Sequence, residues 1–96
     1  MPNFRLSKRA ASDIEQIGDY GIANFGLTQA LKYHLGLDSR FEMLAEYPRI
    51  GTPSYDLRRG LYHWPYEAHT IFYTIHPDHI LIVRVLPAGA DFARHF

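Results

Sequence analysis

The stretch that decides the fold is His69–Leu86, HTIFYTIHPDHILIVRVL. Its first part alternates. His69, Ile71, Tyr73 and Ile75 fall on one side of an extended chain, and Thr70, Phe72 and Thr74 on the other. Its second part, Ile80–Leu86, is almost continuously apolar and rich in β-branched residues, the pattern of a central strand with both faces covered. His76-Pro77-Asp78-His79 between them is turn chemistry, because proline presets φ and aspartate can bond its own backbone. Arg84 interrupts the second run, where a charge is costly unless it meets water, a partner or a ligand.

Working outward, Phe4 and Leu6 alternate with Asn3 and Arg5 and predict a short opening strand. Ser7 is placed to cap a helix from Lys8 to about Phe25, with Ala10, Ile14, Ile17 and Gly21 at helical spacing and Gly26 as its stop. Thr28 is expected to cap a second helix reaching about Tyr47. Its apolar stripe is Ala30, His34, Leu37, Phe41 and Leu44, widened by Leu31, Tyr33, Leu35 and Ala45. Pro48 ends it. So short a connection makes the two helices an antiparallel hairpin.

Arg49–Asp56 reads as loop, Leu57–His63 as a strand broken at Gly60, and Trp64-Pro65-Tyr66-Glu67 as the turn into the central strands. After Leu86, Pro87 and Gly89 stop the sheet, and residues 90–96 form a short aromatic and basic tail. The predicted class is α+β: an N-terminal strand, an antiparallel helical hairpin, then a three-stranded antiparallel meander, in a single domain over residues 1–96. With both helices on one face of the sheet, the other face is expected to stand partly open.

Composition narrows the chemistry. The 96 residues carry no cysteine, which excludes a disulfide framework and thiolate metal sites. No run is long enough to cross a bilayer, and Met1-Pro2-Asn3-Phe4-Arg5 lacks a signal core, so a cytoplasmic location is expected. Lys and Arg together number 10 and so do Asp and Glu; that balance argues against polyphosphate as the main ligand.

Candidate sites were weighed in turn. Ser7, Ser12, Ser39 and Ser54 lie in cap, helix or loop contexts without the glycine-flanked elbow of a serine nucleophile. His76 and His79 lack the further converging ligands that a metal site needs, and His63 and His69 read as half-buried strand residues, so no metal or cofactor is expected. Acid–base cleavage of RNA would draw cations from Arg58, Arg59 and Arg84, and a proton carrier from His63, Tyr73 or His95. A groove for a peptide partner would use Trp64, Tyr66, Phe72 or Tyr73 on the uncovered sheet face.

The ordered set of residues resembles a known family. It runs through Asp13-Ile14, Ile17, Tyr20 and Phe25-Gly26; Gln29-Ala30, Tyr33, Leu37, Phe41 and Leu44-Ala45; Pro48-Arg49-Ile50-Gly51; Arg58 with Gly60; and His69 with Ile71-Phe72-Tyr73. It ends on Val83-Arg84-Val85-Leu86 with Asp91 beyond. Together these are similar to the ParE branch of the RelE/ParE toxin superfamily. The resemblance implies a toxin of a type II toxin–antitoxin pair that inhibits DNA gyrase by binding, without catalysis. It also implies a partner resembling ParD, a ribbon-helix-helix antitoxin whose tail wraps the toxin in a hetero-oligomer, and which alone contacts promoter DNA. The alternatives are a RelE-like ribosome-dependent mRNA endoribonuclease and a non-toxic module that only grips its antitoxin. On the ParE reading the expected target or antitoxin face is Arg58, Arg59, Trp64, Phe72, Tyr73 and Arg84, with Phe92, Arg94, His95 and Phe96 as a target-contacting tail.

Overall fold

The computed structural model describes residues 3–96; Met1 and Pro2, part of the segment read as lacking a signal core, lie outside them. The elements follow as β1 (Phe4–Leu6), α1 (Lys8–Phe25), α2 (Leu27–Glu46), a 3-10 turn (Pro48–Ile50), β2 (Thr52–Pro53), β3 (Leu61–Tyr66), β4 (His69–Ile75), β5 (Ile80–Pro87) and a second 3-10 turn (Phe92–His95). The strands form one sheet in the order β1-β5-β4-β3-β2. β3, β4 and β5 make the expected antiparallel meander. β1 returns to pair in parallel with β5, setting Phe4 opposite Ile80 and Leu6 opposite Ile82. The α1–α2 hairpin is the crossover that makes this parallel pairing possible. β2 was read as loop; its two residues pair with Tyr62 and His63 of β3.

Ser7 caps α1 as expected: its hydroxyl accepts from the Ala10 amide at 3.0 Å and donates to the Val83 carbonyl at 2.7 Å. One side chain thus closes the helix and ties it to β5 just past the end of β1. Thr28 is not the cap of α2. Gly26, at φ +86°, ends α1 and starts α2 by itself, so the second helix begins at Leu27. Only a glycine takes that backbone conformation without strain. Where the helices cross, Gly21 brings α1 so close to α2 that a Cβ there would lie 3.2 Å from the Ala30 Cβ.

β3 also differs from expectation, running through Trp64-Pro65-Tyr66 and turning at Glu67-Ala68. β2 covers β3 only at Tyr62 and His63, so Pro65 sits on an edge, where its missing N–H breaks no ladder. Glu67 holds φ at +50° to make the tight turn.

A bulge in β5 places Phe72 opposite Arg84 and Tyr73 opposite Ile82, leaving Val83 as the extra residue. Its effect is on the two faces. Ile80, Ile82 and Val85 join Ala10, Leu37, Phe41, Leu44, Ile71 and Tyr73 in the core under the helices. Val83 and Leu86 join Leu61 and Phe72 in a second cluster on the opposite face.

The expectation of an open second face is overturned. Phe92 and Phe96 of the C-terminal segment close over Phe72, with ring centroids 5.0 and 4.9 Å away, and Phe72 is 1% exposed. Seven residues of aromatic tail suffice because the second cluster is small. Exposed apolar surface concentrates elsewhere, at the turn end of the helical hairpin: Tyr20, Ile22, Phe25, Leu27, Leu31 and Leu35 are all about half exposed or more.

Candidate functional site: an apolar groove and a plugged sheet face

The residues expected to form one functional face divide between the two sides of the sheet. Trp64 and Tyr73 belong to the helix side, a correction that follows from strand alternation, since each shares a face with Ile71. Tyr73 is fully buried and structural. Its hydroxyl donates to the Pro48 carbonyl at 2.6 Å and accepts from the Gly51 amide at 3.1 Å, pinning the turn after α2. Burial pushes the phenol up to about 12.

Phe72 is on the opposite face, under the tail rather than free. Arg84 is there as well, but its charge is engaged. Nε and Nη2 donate to the two oxygens of Asp13 on α1, at 2.8 and 2.9 Å, and each side chain is 11% exposed. Asp13 Oδ2 also accepts from the Val85 amide at 3.0 Å. β1 ends opposite Ile82, so the edge of β5 beyond it would be bare; Asp13 fills that gap in the ladder and holds Arg84 in a fork. This hydrogen bonding to Asp13 raises the Arg84 pKa, so the guanidinium stays charged and paired.

Around the tail the structure brings together Arg58, His63, Phe72, Arg84, Phe92, His95 and Phe96. Arg58 lies 5.3 Å over the Phe96 ring, and Arg84 Nη1 approaches His95 Nδ1 at 3.3 Å. His63 is bonded through Nδ1 to Ser54, which is buried. Arg59 and Arg94 are exposed. A phosphoryl-transfer site would need these cations to converge on an empty, hydrated space with a proton carrier beside it. Two phenyl rings fill that space, Arg84 is neutralised by Asp13, and Tyr73 faces away. Of the residues weighed for RNA cleavage, Arg58, His63, Arg84 and His95 thus gather around the tail, while Tyr73 lies on the other side of the sheet.

The open concavity lies on the helix side. A groove of about 650 Å³ runs between the turn end of the helical hairpin and the β3–β4 turn. Its apolar walls include Ile14, Ile17, Tyr20 and Phe25 of α1, Ala30 and Leu37 of α2, and Tyr66 of β3. Gly18 and Gly21 contribute no side chain, which deepens it. Polar side chains line it at Gln29, Lys32, Tyr33, His34, Glu67 and His69, and Tyr33 and His69 are joined by a 2.6 Å hydrogen bond between the phenol oxygen and Nδ1. Burial lowers the His69 pKa, opposed by the Asp13 carboxylate. Sequence reasoning missed this site. Leu31 and Leu35, which widen the α2 stripe, are exposed outside it, so that width gave no pointer to the groove.

Among the described residues no three His, Asp or Glu side chains converge as a metal site, and no helix is long and apolar enough to cross a membrane.

A small α+β domain with an apolar groove left open and its cationic face plugged has the form of a protein that is gripped by another polypeptide. Comparison with known proteins gives the class. Residues 4–92 match the family described as the ParE toxin of type II toxin–antitoxin systems, parDE. The chain is 34% identical over 95 residues to Toxin ParE1 of Caulobacter vibrioides, covering 99% of this chain and 98% of that one. It is 30% identical over 93 residues to Toxin ParE1 of Mycobacterium tuberculosis, covering 96% and 95%. The solved chromosomal ParDE TA system from P. aeruginosa shares the fold, with a TM-score of 0.77 over 91% of this chain and 96% of that chain, at 19% identity. This chain belongs to the ParE toxin family of type II toxin–antitoxin systems.

Proposed function

We propose that this toxin acts in the cytoplasm by binding DNA gyrase, and that an antitoxin of the ParD kind neutralises it by laying an apolar segment into the groove between the helical hairpin and the β3–β4 turn. The observation that carries the reading is the pairing of family membership over residues 4–92 with that open groove of about 650 Å³. A segment disordered when free and apolar on one side fits such a slot, because ordering it is offset by burying Tyr20 and Phe25, which are 64% and 66% exposed in the free toxin. A binding mode of action is supported by the packing of Phe92 and Phe96 over Phe72, on the face where Arg58 and Arg84 stand. The target-facing surface in this reading is the exposed basic rim of the plugged face: Arg58, Arg59, Arg94 and His95.

The test is inducible expression without the antitoxin. Growth arrest with filamentation and a DNA-damage response is expected, relieved by co-expression of the antitoxin. Purified toxin should inhibit gyrase supercoiling and accumulate cleaved DNA. Unimpaired growth despite soluble toxin would overturn the reading, and codon-linked cuts in translated messages would replace it with the endoribonuclease alternative.

A further inference from the structure

The groove has largely apolar walls and contains one hydrogen-bonded pair that joins the helical hairpin to the sheet. Tyr33 on α2 and His69 at the start of β4 meet across it, with their rings edge to face at 5.6 Å. The 2.6 Å contact between the Tyr33 oxygen and His69 Nδ1 is far closer than the 3.4 Å between the same oxygen and the Tyr66 carbonyl. A neutral imidazole carries one N–H and one acceptor. A phenol is the stronger donor and an imidazole nitrogen the stronger acceptor, so the favoured tautomer has the phenol donating to Nδ1 and the imidazole proton on Nε2. Burial lowers the His69 pKa, which keeps the ring neutral near pH 7.

Nε2 has no hydrogen-bond partner among the described residues. No buried side-chain nitrogen or oxygen in them lacks a partner, so Nε2 is not sealed off. His69 lines the groove. An N–H donor fixed in tautomer and direction is thus presented beside apolar walls. Once a segment fills the groove and excludes water, that donor must be met by an acceptor from the segment or be left unsatisfied.

We propose that His69, oriented by Tyr33, is the specificity determinant of the groove, selecting partner segments that set a carbonyl or carboxylate oxygen opposite Nε2. This rests on the antitoxin reading above. Apolar burial supplies most of the affinity and is indifferent to sequence detail; a donor held in place by Tyr33, unlike the flexible Gln29 and Lys32 side chains that also line the groove, decides which apolar segment is accepted. A segment of equal hydrophobicity without an acceptor at that point is rejected because it leaves the buried Nε2–H without a partner. Tyr33 is a positioning residue: it touches His69, and its hydroxyl sets which imidazole nitrogen carries the proton.

The test measures affinity of the full toxin for the antitoxin encoded beside it, by titration calorimetry. His69→Phe keeps a planar ring and removes the donor; it is expected to weaken binding about tenfold to a hundredfold. His69→Gln places an amide N–H near the Nε2 position and is expected to restore binding to within about threefold of wild type, a rescue that ring packing alone would not give. Tyr33→Phe frees the tautomer and is expected to fall between the two. Melting temperatures of the free variants serve as the fold control. If the wild type binds and His69→Phe binds equally well, or if His69→Gln is as weak as His69→Phe, the specificity role is overturned while the antitoxin reading stands. If the wild type itself does not bind the neighbouring antitoxin, both fall.

Discussion

The plugged sheet face and the helical groove are built from the same materials and end differently. Each begins as a patch of aromatic and aliphatic side chains set on one side of regular elements by their period. On the sheet face, Leu61, Phe72, Val83 and Leu86 are sealed by Phe92 and Phe96 of the chain's own tail. At the hairpin turn, Tyr20, Phe25, Leu31 and Leu35 have nothing over them. The difference lies in what the chain has left to spend on coverage, not in hydrophobicity. A four-residue 3-10 turn reaches the sheet from the end of β5, whereas the β3–β4 turn approaches the hairpin turn and leaves a groove open between them. The contrast separates the two patches by the quantity that a mutation on each should change: folding on the sheet face and, on the antitoxin reading proposed above, association at the groove.

The sharpest way to break that contrast is Phe72→Ala. Phe72 is 1% exposed and in contact with the tail rings, so its truncation should cost about 3–5 kcal/mol, read as a shift in urea midpoint. A loss under about 1 kcal/mol would show that the tail does not close over the sheet in solution. Next in size is the fork beneath it. Arg84→Met leaves the Asp13 carboxylate with only the Val85 amide and should cost about 2–3 kcal/mol. Adding Asp13→Leu should recover part of that, since the stranded charge goes with it. A double variant less stable than Arg84→Met alone would mean that the Asp13 bond to Val85 outweighs the ion pair.

Alkaline pH tests the helix side of the same strand. The Tyr73 phenol is raised from 10.0 to about 12 by burial. In the unfolded chain it ionises near its ordinary value, so between those limits the native state binds more protons and stability falls as pH rises. The loss should be complete near pH 12 and amount to about 2 kcal/mol, and it should be absent in Tyr73→Phe. That variant loses the hydroxyl bonds to Pro48 and Gly51, so it starts about 1–2 kcal/mol lower at neutral pH.

These effects also mark how far the sequence could be read. The alternation of His69–Ile75 and the β-branched run after it specified two paired strands, and Ser7 with Gly26 bounded α1, because each signal is local and carried by a single physical cause. Thr28 misled because a glycine at positive φ can serve two helices at once, which no cap preference encodes. Pro65 misled because a proline is tolerated on a strand edge, and whether a strand is an edge depends on how far β2 extends. The functional face was harder still. Tyr73 and Phe72 are sequence neighbours that alternation sends to opposite sides, and which side stays open was decided by Phe92 and Phe96, whose short tail has no period to read. Arg84 was recognisable as a residue needing a partner; that the partner is Asp13, 71 positions earlier, follows only from where β1 stops.

The smallest expected effect on folding is the most telling. Tyr20→Ser and Phe25→Ser remove rings that are 64% and 66% exposed, that pack mainly on each other at 6.3 Å, and that belong to neither core cluster. Substitutions at such positions usually move stability by no more than about 0.5 kcal/mol. Leu27, Leu31 and Leu35 repeat at helical spacing on the same end of α2, so further serine replacements there should also be nearly silent in the urea midpoint. The same changes should weaken association with the antitoxin by more than tenfold each for the two rings, because burying them is most of what the groove offers a partner. A large loss of stability in the free toxin would mean that the rings are part of the fold after all, held by a closed form of the hairpin. Unchanged association would instead place the antitoxin on the plugged face, and the tail would then have to leave it.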